Sequence, residues 1–216
     1  MTAFRWTAGE VRRALGTESA AGDREFTGIS TDTRRIEPGS IFVALKGASF
    51  DGHDYLAQAA EKGAAGAIVS RVGEDDIPRG MTLFVVDDTL HALGRLARHR
   101  RRALEGRVVA VAGSNGKTTT KELLRAVLSP RLRVHATDAN LNNQVGVPLT
   151  LLAAPDDAEA VIVEAGTNEP GEITLLSRII EPDAAIITSI GEEHLEGLGS
   201  VEGVLREELA VFDGLA

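Results

Sequence analysis

The stretch Val108-Val-Ala-Val-Ala-Gly-Ser-Asn-Gly-Lys-Thr-Thr-Thr-Lys121 constrains the fold more than any other part of the chain. Val108 to Ala112 form an uncharged run of small and β-branched residues, which suits a strand buried on both faces of a parallel sheet. Gly113 and Gly116 supply the backbone freedom and close approach that a phosphate-cradling loop requires. Lys117 and Thr118 follow where an ammonium and a magnesium-binding hydroxyl would sit, so Gly113, Ser114, Asn115, Gly116, Lys117, Thr118 and Thr119 are the candidate nucleotide-binding residues. From Thr118 the pattern turns helical, with Leu123, Leu124, Val127 and Leu128 placed on one face, and the helix N-terminus offers its free amides to an anion. The common phosphate-loop motif has a glycine five residues before its Gly-Lys pair, and Val111 occupies that position here. A Gly-Asn turn beside a solvated lysine is therefore the competing reading of this stretch alone.

The rest of the chain supplies the setting. After the opening stretch, strand-like runs (Arg133 to Ala136, Ala160 to Glu164, Ala184 to Thr188) alternate with helical ones (Val147 to Leu152, Glu172 to Ile180, Val201 to Leu215). Such alternation predicts an α/β fold with a parallel, doubly wound sheet and ligands at the carboxyl ends of its strands. Ahead of it, a predicted helix from Trp6 to Leu15, strands at Phe26, Ile41 to Leu45, Gly66 to Ser70 and Thr82 to Val86, and a helix from Asp54 to Lys62 read as a small α/β unit. The expected organisation is a domain over 1–87, a connecting helix over 88–105 and a second domain over 106–216. Arg95, Arg98, Arg100, Arg101 and Arg102 crowd the end of the connecting helix and read as a solvated, macrodipole-favoured cluster.

Charge and composition remove several function classes. A net charge of −9 argues against a general nucleic-acid binder, which needs a basic surface to displace counterions. The absence of cysteine excludes disulfides and thiolate metal sites. Neither a leader-like N-terminus nor an apolar run long enough for a membrane span is present, so a cytoplasmic protein without membrane insertion is expected.

The candidates for chemistry fall at predicted strand ends. Lys117 can stabilise charge on nucleotide phosphates, and Thr118 can ligate the accompanying Mg2+, a hard ion that takes oxygen ligands. Glu164, the single charge at the end of an apolar strand, is a natural second ligand or else a strand-end residue turning into solvent. His194, after a Gly191 turn and among Glu192, Glu193 and Glu196, reads as a cation ligand or as a structural histidine. Asn140-Leu-Asn-Asn-Gln144 sets uncharged donors and acceptors in one loop, for a polar substrate or as a helix cap. Ser30 to Arg34 and Asp51 to His53 read as turns that hint at a ligand loop.

Together these segments resemble the Mur ligases, the ATP-dependent amide-forming enzymes that build the peptide stem of the bacterial cell wall. Gly113-Ser-Asn-Gly-Lys-Thr-Thr119 is similar to that family's shortened phosphate loop. Ser30-Thr-Asp-Thr-Arg34, Pro38-Gly39, Phe42-Val-Ala44 and Phe50-Asp-Gly-His53 resemble its uridine-nucleotide-binding domain. Asn140-Leu-Asn-Asn-Gln-Val-Gly-Val-Pro-Leu-Thr150 is similar to the branch that adds the terminal dipeptide, and the branch that adds the third residue is the alternative. The resemblance implies a small substrate-binding domain followed by a phosphate-loop ATPase domain, with ATP and Mg2+ as cofactors. It also implies that D-alanyl-D-alanine is joined to UDP-MurNAc-tripeptide through an acyl phosphate, by a monomer. Lys117, Glu164 and His194 would be catalytic; Thr118, Glu164 and His194 would hold metal. Asn142 and Asn143 would contact the muramoyl substrate, and Ser30, Asp32, Thr33 and Arg34 would lie along the uridine diphosphate.

Three departures accompany the resemblance. Glu208 falls where the family has a lysine that becomes carbamoylated and completes a second metal site, so Glu208 is expected to ligate through water or to draw its helix inward. Ser189 replaces a common Asn. The chain ends at Ala216, which is expected to leave an incomplete ATPase domain unable to complete ligation alone. A nucleotide-binding module without turnover is the reading from another class, and an ordinary phosphate-loop kinase or GTPase leaves the first domain unexplained.

Overall fold

The computed structural model describes residues 4–17, 23–73 and 78–216. The chain divides into two compact units, one ending at Leu96 and one beginning at Ala97.

The first unit opens on β1 (Trp6–Thr7) and α1 (Ala8–Leu15). The helix expected from Trp6 starts two residues later, because Thr7 closes a capping box with Glu10 and Trp6 pairs with Phe26 of β2 (Glu25–Phe26). A four-stranded parallel sheet follows in sequential order: β3 (Ile29–Ser30), β4 (Ile41–Val43), β5 (Gly66–Val69) and β6 (Thr82–Val85), with α2 (Leu56–Glu61) between β4 and β5. Phe42, Leu56, Ala59, Ala67 and Val69 form a core of this unit, and the Phe26 and Phe84 rings meet edge to face at 5.9 Å. The division between units falls within α3 (Thr89–Ala103).

In the second unit a four-stranded parallel sheet runs in the order β10-β7-β9-β8: β10 (Ala184–Ile187), β7 (Arg107–Ala112), β9 (Ala160–Glu164) and β8 (Val134–Ala136). α4 (Lys117–Leu128) connects β7 to β8, α5 (Gly146–Ala153) connects β8 to β9, and α6 (Glu172–Ile180) connects β9 to β10. The chain leaves β7 towards β8 and leaves β9 towards β10, in opposite directions across the sheet. Right-handed crossovers then put α4 on one face and α5 and α6 on the other, and the carboxyl ends of β7 and β9 become the topological switch point. The doubly wound sheet expected from the alternation is present. α7 (Leu195–Leu198) and α8 (Val201–Leu209) complete the unit, and the helix expected to reach Leu215 passes into a 3-10 segment at Ala210.

Two sequence expectations hold only in part, for physical reasons. On α4, Leu124 and Leu128 are half-buried but Leu123 and Val127 are 61% and 74% exposed, whereas Lys121 is 1% exposed and faces inward. Of the five arginines expected to form a solvated cluster at the end of α3, Arg95, Arg98 and Arg102 are exposed and two are not. Arg100 and Arg101 are buried; Arg100 donates to Ala154 O at the end of α5, and Arg101 donates to Ile180 O at the end of α6. Both guanidiniums meet the negative ends of helix dipoles and pair with Asp156 and Asp183. No helix among the described residues is long and apolar enough to cross a membrane.

Candidate nucleotide site

The loop between β7 and α4 lies at the switch point. Gly113 sits at φ 116°, and a Cβ there would stand 2.5 Å from Thr188 Oγ1, so only glycine fits. Gly116 caps α4 in the left-handed region at φ 85°, which turns the chain into the helix. The first amides of such a helix, Gly116 to Thr119, have no partner within it and are the groups an anion would meet. The loop is fastened to the segment after β10. Asn115 N donates to Ser189 Oγ at 3.0 Å, Thr188 Oγ1 donates to Asn115 O at 2.6 Å, and Gly191 N donates to Ser114 Oγ at 3.0 Å. Ser189, left without a role by the sequence, is thus part of the loop's anchor.

Lys117 folds its ammonium over the loop onto Gly113 O and Ser114 O, 3.9 Å from Glu193 Oε2. Across the switch point, Thr118 Oγ1 donates to Glu164 Oε2 at 3.1 Å, and Asn142 Nδ2 donates to Glu164 Oε1 at 3.0 Å. Glu164 is 1% exposed, so it is not a strand-end residue turned to solvent. A buried carboxylate touching a hydroxyl at the end of a phosphate loop is a hard-oxygen donor set, and it fits Mg2+ in ligand type. Asn143 uses its Oδ1 to accept from Val145 N and Gly146 N at the head of α5, the helix-cap arrangement. Gln144 Nε2 donates to Glu172 Oε1 at 3.1 Å, tying the same loop to the first residue of α6.

Glu208 does not join Thr118 and Glu164. Its Oε2 accepts from Gly113 N at 2.7 Å, so a fully buried carboxyl holds the loop's first amide. Burial pushes its pKa up to about 7, helped by the neighbouring Glu193 carboxyl and opposed by Gly113 N–H and Lys117. Glu193 Oε1 and Glu208 Oε1 are both buried without a hydrogen-bond partner among the described residues. His194 is exposed, in the left-handed region at φ 46° at the head of α7, and has no hydrogen bond to Thr118 or Glu164. Among the described residues no three His, Asp or Glu side chains gather in metal-binding geometry. Sequence reasoning missed Lys121, buried one turn after Lys117, and Thr137, whose Oγ1 accepts from Glu164 N at 2.9 Å. A lysine at a helix position that periodicity turns inward is the signal that could have found the first.

In the first unit the expected substrate residues share one turn after β3. Asp32 accepts from Arg34 N at 2.9 Å and pairs with the Arg34 guanidinium at 2.8 Å, Asp32 N donates to Ser30 Oγ, and Thr33 Oγ1 meets Gln58 Oε1 at 2.6 Å. Those bonds hold the Asp32 carboxyl down to about 2. Asp51, His53 and Ser70 form a second cluster whose order suggests a catalytic triad. However, Ser70 N donates to His53 Nε2 at 2.9 Å, which occupies the lone pair a general base would need.

A parallel α/β sheet with a glycine-lysine loop at its switch point and a hydroxyl–carboxylate pair beside it defines a phosphate-loop nucleotide-binding protein. The chain belongs to the Mur ligase family. Residues 111–216 match the Mur ligase middle domain and residues 25–101 match the Mur ligase family catalytic domain. The UDP-N-acetylmuramoyl-tripeptide–D-alanyl-D-alanine ligase of Bacillus subtilis is 47% identical over 87% of this chain and 41% of its own length. The ligase of the same name from Escherichia coli is 39% identical over 97% of this chain and 45% of its own. Among solved structures, MurF from Acinetobacter baumannii superposes with a TM-score of 0.92 at 35% identity, covering 100% of this chain and 48% of that one. MurF ligase from Thermotoga maritima in complex with ADP gives 0.79 at 32% identity, over 87% of this chain and 43% of that one. The chain thus spans a little under half the length of the relatives it matches.

Proposed function

We propose that this chain carries the uridine-substrate and ATP-binding portions of a cytoplasmic, monomeric ligase that joins D-alanyl-D-alanine to UDP-MurNAc-tripeptide. The observation that carries the reading is the convergence of Lys117, Thr118, Glu164 and Asn142 on one switch point. In the reaction, the tripeptide's terminal carboxylate takes the γ-phosphoryl group of ATP, and the dipeptide amine then displaces phosphate from the acyl phosphate to form the amide. The first step brings anions together. Lys117 and the amide end of α4 offset that repulsion and the charge that develops on the transferring group. Thr118 and Glu164 would hold Mg2+, which supplies further charge neutralisation at the phosphates. Asn142 is fixed by Glu164 and Asn143 by its helix cap, so the muramoyl-facing amides would be ordered before substrate arrives. Ser30, Asp32, Thr33 and Arg34 would meet the uridine diphosphate in the first unit. His194 shares no bond with the Thr118–Glu164 pair and receives no role in this reading.

Two measurements test the proposal. Calorimetry of the chain with MgATP should show binding that Lys117→Ala weakens by roughly 10- to 100-fold, the loss of about 1.5–3 kcal/mol from hydrogen bonds to a charged group. A wild-type chain that binds no nucleotide would sink the reading. In a polypeptide extending this chain over the full length of its relatives, phosphate release should require both UDP-MurNAc-tripeptide and D-alanyl-D-alanine. Release with a free diamino acid instead would move the chain to the third-residue branch.

A further inference from the structure

Lys121 is a buried cation that the reaction proposed above does not use. Its position, one turn after Lys117 on the inward face of α4, would ordinarily hold an apolar side chain. Its Nζ donates to Thr137 O at 2.8 Å and to Ala139 O at 3.2 Å, and lies 3.9 Å from Glu164 Oε2 and 3.3 Å from Glu122 Oε1. Ala139 sits at φ 47°, a left-handed conformation that a residue with a Cβ adopts only when its surroundings hold it there. That strained residue opens the loop Asn140 to Gln144, and Asn142 returns to the same Glu164 carboxylate. The contacts close a ring: Lys121 to the carbonyl of Ala139, along the loop to Asn142, across to Glu164, and back towards Lys121. An apolar residue at 121 would leave the buried Thr137 carbonyl and the buried Glu164 carboxylate without their cationic partner and would free the partly buried Ala139 carbonyl.

We propose that Lys121 is a positioning residue that locks Glu164 and the 137–144 loop into one unit, so that the metal-facing carboxylate and the substrate-facing amides are set by a single ammonium. The proposal rests on reading Thr118 and Glu164 as the Mg2+ pair. Because Lys121 and Asn142 both address the Glu164 carboxylate, order in the loop and affinity for the cation are linked, and linkage of this kind acts in both directions.

Lys121→Met and Lys121→Gln in this chain test it with two readouts. Hydrogen exchange without nucleotide should show the amides of residues 138–144 exchanging about tenfold faster in Lys121→Met, with β7 and α6 unchanged. Calorimetry with ATP in Mg2+ and in EDTA should show the Mg2+-dependent gain in affinity reduced about tenfold, with EDTA affinity held to within about threefold. Lys121→Gln keeps a donor for Thr137 O but not the charge; it should retain most of the loop protection and still lose the Mg2+ gain. Should Lys121→Met not melt cooperatively, Lys121→Gln carries the Mg2+ measurement. Unchanged exchange across 138–144 in Lys121→Met, or equal losses in Mg2+ and EDTA, would overturn the proposal. A wild-type chain that binds ATP in neither buffer would overturn the nucleotide reading and the metal linkage with it, while exchange still decides whether Lys121 holds the loop.

Discussion

In the unit ending at Leu96, the Asp32 turn is held by neighbours two positions away, Ser30 and Arg34, while Thr33 beside it reaches Gln58 and His53 reaches both Asp51 and Ser70. In the unit beginning at Ala97, the corresponding bonds cross long stretches of chain. Gly113 is held by Glu208, Thr118 by Glu164 and Asn142 by Glu164, at separations of 95, 46 and 22 residues. A site built from local turns can form wherever its short segment folds, and each of its members contributes nearly alone. A site built from distant residues exists only when the sheet is complete, and a change at one member is felt by the others. Substitutions should therefore be costly and coupled around the phosphate loop and mild around Asp32.

The largest effect is expected from Gly113→Ala. The new methyl would meet Thr188 Oγ1 at 2.5 Å and Ser189 O at 2.9 Å, at a backbone φ of 116° that disfavours any side chain. Backbone strain of about 1–3 kcal/mol and overpacking of a similar size should lower unfolding free energy by about 2–6 kcal/mol in denaturant titration. A loss below about 1 kcal/mol would mean that the loop yields freely, and the contrast between the units would fail.

Glu208→Gln should act in the opposite direction and depend on pH. The Glu208 carboxyl is raised from 4.5 to about 7, so between those values the folded chain binds more protons than the unfolded one and stability falls as pH rises. Above that window the accumulated cost is about 3 kcal/mol, because each step of one in pH between the two values costs about 1.4 kcal/mol. Glutamine cannot ionise, and its carbonyl can still accept from Gly113 N. Melting temperatures should therefore decline from pH 5 to 8 in the wild type more than in Glu208→Gln, with the variant the more stable at pH 8. Parallel profiles would show that the carboxyl is not protonated in the folded chain.

The same contrast explains what the sequence made legible. The strand, loop and helix at Val108 to Lys121 are a local pattern, and strand alternation placed Glu164 at an adjacent strand end, so their meeting could be anticipated. The inward face of α4 was legible only in part. Of Leu123, Leu124, Val127 and Leu128, gathered on one face by periodicity, Leu124 and Leu128 are half-buried and the other two are exposed, while the fully buried position is Lys121, which reaches the carbonyls of Thr137 and Ala139. Glu208 was placed correctly on its helix, yet its target, the amide of Gly113, depends on packing that no local spacing encodes. Arg100 and Arg101 were misread because helix ends 54 and 79 residues away receive them. Strands of two residues, such as β1 and β2, carry too few side chains to show alternation.

Arg34→Ala supplies the smallest effect and the sharpest test of the local site. The Arg34 guanidinium is exposed, and a solvent-screened pair of this kind adds little to stability, so the melting temperature should stay within about 1 °C of wild type. The bond that matters for the turn is from the backbone amide at position 34 to Asp32 Oδ1, which alanine retains. Removing the guanidinium should let the Asp32 carboxyl rise from about 2 towards its ordinary value of 3.8, because the side-chain bond to Arg34 is the main cause of the depression. The depressed carboxyl favours the fold above pH 3.8 and loses that contribution as pH falls towards 2, so whatever small difference separates the two proteins at neutral pH should close in acid. An NMR titration of the Asp32 side chain reads the shift directly. A large loss of stability at neutral pH would show that the Asp32 turn leans on distant partners, as the phosphate loop does.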